Sequence, residues 1–299
     1  MKIIIVGLGV QGKKRLEIAK NDTVSTVDPF KESDFDNLYD VPLESFDSAI
    51  LCIQDDLKIE YIKYLLSNKK NVMVEKPIFS STSKQINILK KLAEENNVCC
   101  YTAYNHRFEP NFIKMKKLLD KNKLGKVYTI RMFYGNGTAR LVRDSEWRDK
   151  GAGVLPDLGS HLLDTLEFWF SEQFTDFKII SATKNENQSY DNVVFGKLSS
   201  PTIIAETSLL SWRNHFYADI YGEYGSAHIT SLCKWGPSKF IFRKRIIPSG
   251  RPIEESSEII SSDPTWELEY KFFKEMIRKK QNNLGSDIWI NDVLNKVIN

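Results

Sequence analysis

Lysine, histidine and aspartate side chains can move protons and steady developing charge, and this chain carries one of each in a distinctive setting. Lys76 lies in Glu75-Lys76-Pro77, directly after the apolar stretch from Val72 to Val74. About eighty residues later, Asp157-Leu158-Gly159-Ser160-His161-Leu162-Leu163-Asp164 puts a carboxylate four positions before an imidazole. Upstream stands a glycine loop, Gly7-Leu8-Gly9-Val10-Gln11-Gly12. Glycines so spaced let the backbone turn tightly, let a pyrophosphate approach a helix N-terminus, and let helix and strand pack closely. A dinucleotide site, a cation and a base are the parts that hydride transfer needs. Removing hydride from a carbinol carbon requires loss of the hydroxyl proton, and an imidazole with an ordinary pKa of about 6.5 suits that task near neutrality.

These residues need elements to hold them. Lys2 to Val6 is a short β-branched run ending at glycine, and Val10 to Ala19 has apolar residues at helical spacing, so the glycine loop joins a strand to a helix. A second strand fits Val24 to Val27, ending at Asp28-Pro29, and a third fits Ser48 to Ile53. A helix marked by Ile59, Ile62, Leu65 and Leu66 leads to a strand at Asn71 to Val74; a helix at Gln85 to Glu95 leads to a strand at Val98 to Thr102. Such alternation implies right-handed crossovers and a parallel sheet covered on both faces. Beyond Phe108 the rhythm changes. A helix near Ile113 to Leu119, a strand at Val127 to Phe133 and a helix at Leu158 to Phe170 precede strand-like segments from Lys178 to Phe242. The expected fold is α/β: a parallel dinucleotide-binding domain over residues 1–117, then an α+β domain over 118–299 built on a large, mostly antiparallel sheet. Two closing helices, Trp266 to Lys279 and Ile288 to Val297, are expected to return to the first domain.

Asp28 sits at the end of the second strand, 21 positions after Gly7. A carboxylate there accepts hydrogen bonds from the adenosine ribose and repels a 2′-phosphate, so NAD is favoured over NADP, with Lys31 close enough to soften that exclusion. The alternative for Asp28 is a turn residue before Pro29. Taken alone, His161 also reads as a packed histidine at a helix start and Asp157 as its N-cap; the company of the other motifs reverses that reading.

Composition narrows the rest. With 299 residues, 41% hydrophobic and 27% charged, the chain can bury the cores of two domains. A net charge of +3 with scattered basic residues argues against a nucleic-acid partner. No apolar run approaches the roughly 20 residues that span a bilayer, so a cytoplasmic, non-membrane protein is expected. Cys52, Cys99, Cys100 and Cys233 form no Cys-x-x-Cys pair, and the four histidines form no His-x-x-x-His pair, so reduced thiols and no metal site are expected.

The ordered set of motifs resembles the Gfo/Idh/MocA family, named for glucose-fructose oxidoreductase and inositol dehydrogenase. It runs from Gly7–Gly12 through Glu75-Lys76-Pro77, Tyr104-Asn105-His106-Arg107-Phe108 with Pro110, Gly125-Lys126-Val127, Trp147-Arg148 and Gly151-Ala152-Gly153 to Asp157, Gly159, His161 and Asp164. The resemblance implies an N-terminal Rossmann domain, a C-terminal domain whose open sheet makes homo-oligomer contacts as a dimer or tetramer, and catalysis by Lys76, Asp157 and His161. In this reading His161 is the general base. Asp157, if the helix has already begun, shares its face and orients the imidazole or the substrate hydroxyl. Lys76 steadies alkoxide charge and helps hold the nicotinamide. Cofactor contacts are expected from Gly7, Gly9, Val10, Gln11, Gly12, Asp28, Cys52, Ile53, Glu75 and Lys76. Asn105, Arg107, Trp147 and Arg148 are expected near the substrate, a sugar, cyclitol or sugar derivative such as a nucleotide sugar.

The chain also departs from the family pattern. Thr-Pro is usual after the third strand, with Asn or His a few positions later; here the run is Ile53-Gln54-Asp55-Asp56-Leu57-Lys58. The stretch from Asp28 to Ile53 is short enough that a helix found there in relatives is expected to be reduced. Two other readings fit the same motifs: a glycoside hydrolase using tightly held NAD, and a non-catalytic dinucleotide-sensing protein, which would have no need of Lys76, Asp157 and His161.

Overall fold

The alternating runs become the elements of a computed structural model that describes residues 1–145 and 148–298. In chain order, β1 (Ile3–Val6) passes through the glycine loop into α1 (Val10–Ala19), followed by β2 (Thr23–Val27), β3 (Ser48–Leu51), α2 (Asp55–Ser67), β4 (Asn71–Glu75), α3 (Ser83–Asn96) and β5 (Cys100–Ala103). Next come α4 (Pro110–Asp120), β6 (Val127–Gly135), the short α5 (Ala139–Arg143) and α6 (Ser160–Phe170). Seven strands follow: β7 (Lys178–Thr183), β8 (Asn192–Lys197), β9 (Thr202–Ser208), β10 (His215–Gly222), β11 (Gly225–Thr230), β12 (Ser238–Lys244) and β13 (Ile253–Ile259). The helices α7 (Thr265–Lys279) and α8 (Leu284–Ile298) complete the described chain.

Two compact units result. One comprises Met1–Asn105 with Thr265–Asp292, the other His106–Pro264 with the segment from Val293 onward. In the first, five parallel strands run in the order β2-β1-β3-β4-β5. Every residue of β1 and β3 is buried, as expected for strands covered on both faces. On one face Ile4, Val6, Leu51 and Val74 pack with Ile62, Leu65 and Leu66 of α2 and Ile86 and Leu89 of α3. On the other, Ile3, Ile5, Ile50, Met73 and Tyr101 pack with Ala19 of α1 and with Tyr270, Phe273 and Met276 of α7. The short β2-to-β3 connection carries two 3-10 turns, Leu38–Asp40 and Leu43–Ser45, where relatives were expected to place a helix. At the β5 edge, Asn283 accepts from Thr102 N–H (2.8 Å) and donates to Thr102 C=O (2.9 Å), so the returning segment satisfies backbone that the sheet leaves open.

The second unit is built on eight strands in the order β13-β12-β11-β10-β6-β9-β8-β7. All neighbours are antiparallel except β6 and β9. Alternation sends Phe216, Ala218 and Ile220 of β10, all fully buried, to the face covered by helices. There Phe112 of α4 lies 4.9 Å from the Phe216 ring and 5.2 Å from that of Trp169 in α6, whose Nε1–H donates to Phe112 C=O at 3.1 Å. Among the described residues no helix is long and apolar enough to cross a membrane.

Candidate active site

In the first unit the site grows from the glycine loop. Gly7 has φ +89, a conformation that favours glycine, and an added Cβ would lie 2.4 Å from Cys52 O. A Cβ on Gly12 would lie 1.8 Å from Gly7 O. These two let loop, helix and strand close on one another. Gly9 differs: a Cβ there would meet nothing within 4 Å. Gly9 caps α1 with no side-chain hydrogen bond, and Val10 and Gln11 in the first turn are exposed. Among the described residues the first N–H groups of α1 have no side-chain cap and lie beside an open cradle, which fits a pyrophosphate.

Asp28 closes the other side of this loop. Its Oδ2 accepts from Leu8 N–H at 2.6 Å, and its Oδ1 accepts from Phe30 N–H at 2.8 Å and Lys31 N–H at 3.0 Å. Burial opposes its charge, yet these three backbone donors prevail and hold the carboxyl below its usual range. Cys52 and Ile53 leave the end of β3 half-buried beneath the loop. Burial, reinforced by Glu75, pushes the Cys52 thiol up, so it behaves as a packed thiol.

Lys76 follows β4 directly and is half-buried, ahead of a cis bond to Pro77. Glu75 beside it is engaged by the protein: its Oε1 accepts from Arg15 Nε at 2.7 Å. Arg15, 1% exposed, also donates from Nη2 to Glu269 Oε2 at 2.7 Å and lies 4.3 Å from the Trp266 ring. Burial works against the guanidinium's charge, but Glu75 and Glu269 outweigh it and raise its pKa. Burial, with Glu75 nearby, lifts the Glu269 carboxyl to about 7. Lys58 of α2, 2% exposed, donates from Nζ to Pro77 C=O at 2.8 Å and pairs with Asp55 Oδ1 at 2.7 Å. Asn105 at the end of this unit donates from Nδ2 to Thr265 Oγ1 at 2.8 Å.

In the second unit His161 stands in the first turn of α6 and is 5% exposed. His106 stacks on it, with ring centroids 4.1 Å apart and an interplanar angle of 21°. Tyr134 of β6 meets His161 edge-on at 5.6 Å and His106 at 5.2 Å. Burial, together with Asp157 and Glu109, raises the Tyr134 phenol. Asp157 lies in a π turn, Leu155–Gly159, and α6 proper begins at Ser160. π geometry closes i→i+5 bonds, so the chain is already helical at Asp157 and the four-residue step to His161 amounts to about one turn. Asp157 is half-exposed, with Oδ2 3.9 Å from Arg148 Nη2.

Arg107 grips Asp164 through both carboxylate oxygens, Nε to Oδ1 at 2.9 Å and to Oδ2 at 3.0 Å, and reaches Glu167 at 3.2 Å. Burial lifts the Asp164 carboxyl to about 6 against the pull of Arg107. This pair ties the turn after Asn105 to α6, a bidentate contact of the kind that fixes geometry. Trp147 lies outside the described residues. His106, Tyr134, Arg15, Lys58 and Glu269 were not singled out from the sequence. His106 was visible inside the Asn105–Phe108 motif, whereas no spacing in the sequence marks Arg15 or Lys58 as buried.

A glycine-cradled parallel sheet in one unit and an imidazole-bearing helix over a large open sheet in the other define a dinucleotide-binding fold joined to a second, sheet-based unit. Two family models match: "Oxidoreductase family, NAD-binding Rossmann fold" over residues 4–104 and "GFO/IDH/MocA C-terminal domain" over residues 112–228. The chain belongs to the Gfo/Idh/MocA family. It is 27% identical over 163 residues to glucose-6-phosphate 3-dehydrogenase of Bacillus subtilis, covering 53% of this chain and 46% of that one. It is 26% identical over 159 residues to scyllo-inositol 2-dehydrogenase (NADP+) of the same organism, covering 51% and 44%. The aligned region thus spans less than half the length of these curated relatives. A levoglucosan dehydrogenase solved with NADH shares the fold with a TM-score of 0.84 at 15% identity, over 100% of this chain and 96% of that one.

Proposed function

We propose that this chain is an NAD(P)-dependent dehydrogenase that takes hydride from a secondary hydroxyl of a sugar, cyclitol or sugar derivative. The observation that carries the reading is the open cradle at Gly9, at the uncapped start of α1, in the same unit as Lys76 at the carboxyl end of β4. Ligands of parallel α/β sheets bind at that end of the strands. A bound nicotinamide supplies the hydride acceptor. The N–H groups of α1 hold its pyrophosphate, and Gly9 leaves room for the close approach. Lys76 donates to the substrate oxygen and steadies the charge that grows there as the proton leaves. His161 accepts that proton at an imidazole nitrogen, with its ring plane set by His106. Asp157, with Arg148 alongside, orients the substrate hydroxyl. Asp28 disfavours a 2′-phosphate, and NAD is the expected cofactor. Its relatives include an enzyme named for NADP+ and one solved with NADH, so Lys31 next to Asp28 remains the residue to watch.

The test is absorbance of the reduced nicotinamide with purified protein, NAD and a panel of sugars, cyclitols and sugar phosphates. Turnover with one class is expected, and Lys76→Ala and His161→Ala should each lower kcat by about 10² to 10⁴, the range of acid–base assistance. Near-normal rates in both variants would remove these residues from the mechanism. NAD binding with no net reduction of NAD by any panel member would favour a closed redox cycle or a sensor.

A further inference from the structure

The sheet ladder stops at Glu75, paired with Ala103, so nothing in the strand pairing fixes the backbone at Lys76 and Pro77. Proline has no N–H, which leaves the Pro77 carbonyl as that residue's one backbone polar group. That carbonyl accepts from Lys58 Nζ at 2.8 Å. Lys58 reaches it from the first turn of α2, and Asp55, three residues earlier on the same helix, holds the ammonium at 2.7 Å. The Lys58 side chain is 3% exposed, whereas that of Asp55 is 44% exposed, so the ammonium is drawn inward toward the turn with its counter-charge at the rim.

A buried ammonium is costly unless its hydrogen bonds are well made, and an apolar side chain would fill this place without that cost. The lysine is therefore explained by what it grips. On the other flank of Lys76, Arg15 holds Glu75. The two anchors differ in one respect. Arg15 is also the counter-ion of the fully buried Glu269, so its loss strands carboxylates in the core. Among the described residues Lys58 holds a backbone carbonyl and a half-exposed aspartate, so its contribution can be removed separately.

We propose that Lys58 is a positioning residue: through the Pro77 carbonyl it fixes the turn that aims the Lys76 ammonium at the reacting oxygen. This rests on the reading above that Lys76 acts on the substrate. A misplacement of about 1 Å at such a group costs on the order of a hundredfold in rate. Lys58→Met keeps the length and bulk of the stem but has no donor.

The experiment uses the full chain, with NAD and whichever panel member turns over, and a second readout that needs no substrate. Reductive methylation with 13C-formaldehyde gives each accessible lysine a dimethylamine NMR signal, and the Lys76 signal is assigned by its loss in Lys76→Arg. In Lys58→Met the Lys76 signal is expected to move to the position of an unconstrained lysine. kcat is expected to fall by about tenfold to a hundredfold while the NAD dissociation constant, read by fluorescence, changes by less than about threefold. Lys58→Arg should recover most of the loss. In the Lys76→Ala background, Lys58→Met should cost nothing further, since residues acting through one another are non-additive. Should Lys58→Met fail to fold, Asp55→Asn frees the same ammonium at a half-exposed position and is expected to shift the Lys76 signal in the same direction. An unchanged Lys76 signal and unchanged kcat in a folded variant would overturn the proposal while leaving the role of Lys76 intact. Full turnover in Lys76→Ala would instead overturn the reading on which it rests.

Discussion

Three backbone N–H groups already point at Asp28, and a carboxylate has about four lone-pair sites, so a ribose bound as proposed would meet a group that is also part of the glycine loop. Two substitutions separate these duties. Asp28→Asn keeps an acceptor but removes the charge, and the ratio of NAD to NADP dissociation constants should shift toward NADP. Asp28→Ala also releases Leu8 N–H, so both cofactors should bind more weakly; titration of each variant with both dinucleotides decides, and an unchanged ratio in Asp28→Asn would take Asp28 out of the ribose site. Glu269 makes a pH prediction. Its folded-state pKa of about 7 lies above the ~4.3 of an unfolded glutamate, so its protonation favours the fold below about pH 4.3 and that contribution fades as pH rises to about 7. Wild type should lose urea stability relative to Glu269→Gln between pH 5 and 8, by at most roughly 3 kcal/mol. A difference that stays constant would mean the carboxyl is ionised throughout. On the sheet of the second unit, Ser226, His228 and Asp219 have triad-like spacings, Oγ to Nε2 at 2.8 Å and Nδ1 to Oδ1 at 2.6 Å. Arg243 Nη1 also lies 3.0 Å from Nε2, and a guanidinium only donates, so it competes for the lone pair that activation of serine would need.

At the level of elements, the glycine loop offers a sharp contrast. Gly12→Ala puts a Cβ against Gly7 O and should disrupt the β1–α1 join, seen as loss of soluble folded protein. Gly9→Ala meets no protein atom, so the fold should survive with its melting temperature intact. Its methyl instead occupies the cradle, and overpacking of about 1–3 kcal/mol should raise the NAD dissociation constant by roughly tenfold or more. Equal affinity in Gly9→Ala would place the pyrophosphate elsewhere. Sequence spacing revealed this loop, the alternation of β1 to β5 and the mostly antiparallel second sheet because each is a local pattern with a period of 3.6 or 2. It did not reveal that a π turn precedes α6, because such a turn depends on how the chain enters the helix, not on residue types within it. Arg15 and Lys58 were equally hidden: a helix position looks solvent-facing until a partner such as Glu75, Glu269 or Pro77 arrives from distant sequence. The parallel contact of β6 with β9 was invisible for the same reason.

On the scale of the whole molecule, the first unit is discontinuous. Met1–Asn105 builds the parallel sheet, but Thr265–Asp292 covers one of its faces and caps its edge. Removing residues 265–299 should therefore expose Ile3, Ile5, Ile50 and Met73 and leave Arg15 without Glu269, producing aggregated protein that fails to bind NAD. A truncated chain that remained monomeric and bound NAD would show that the face needs no cover. The same arrangement imposes an order on synthesis. Roughly 160 residues separate the two pieces, and a ribosome moving at about 5–20 residues per second takes about ten to thirty seconds to cross that interval. During that time the cofactor unit carries into the cell an apolar sheet face covered by α1 but not by α7. Completion of the first unit thus waits on Thr265–Asp292, and its exposure to chaperones and proteases is set by the length of what is inserted in it.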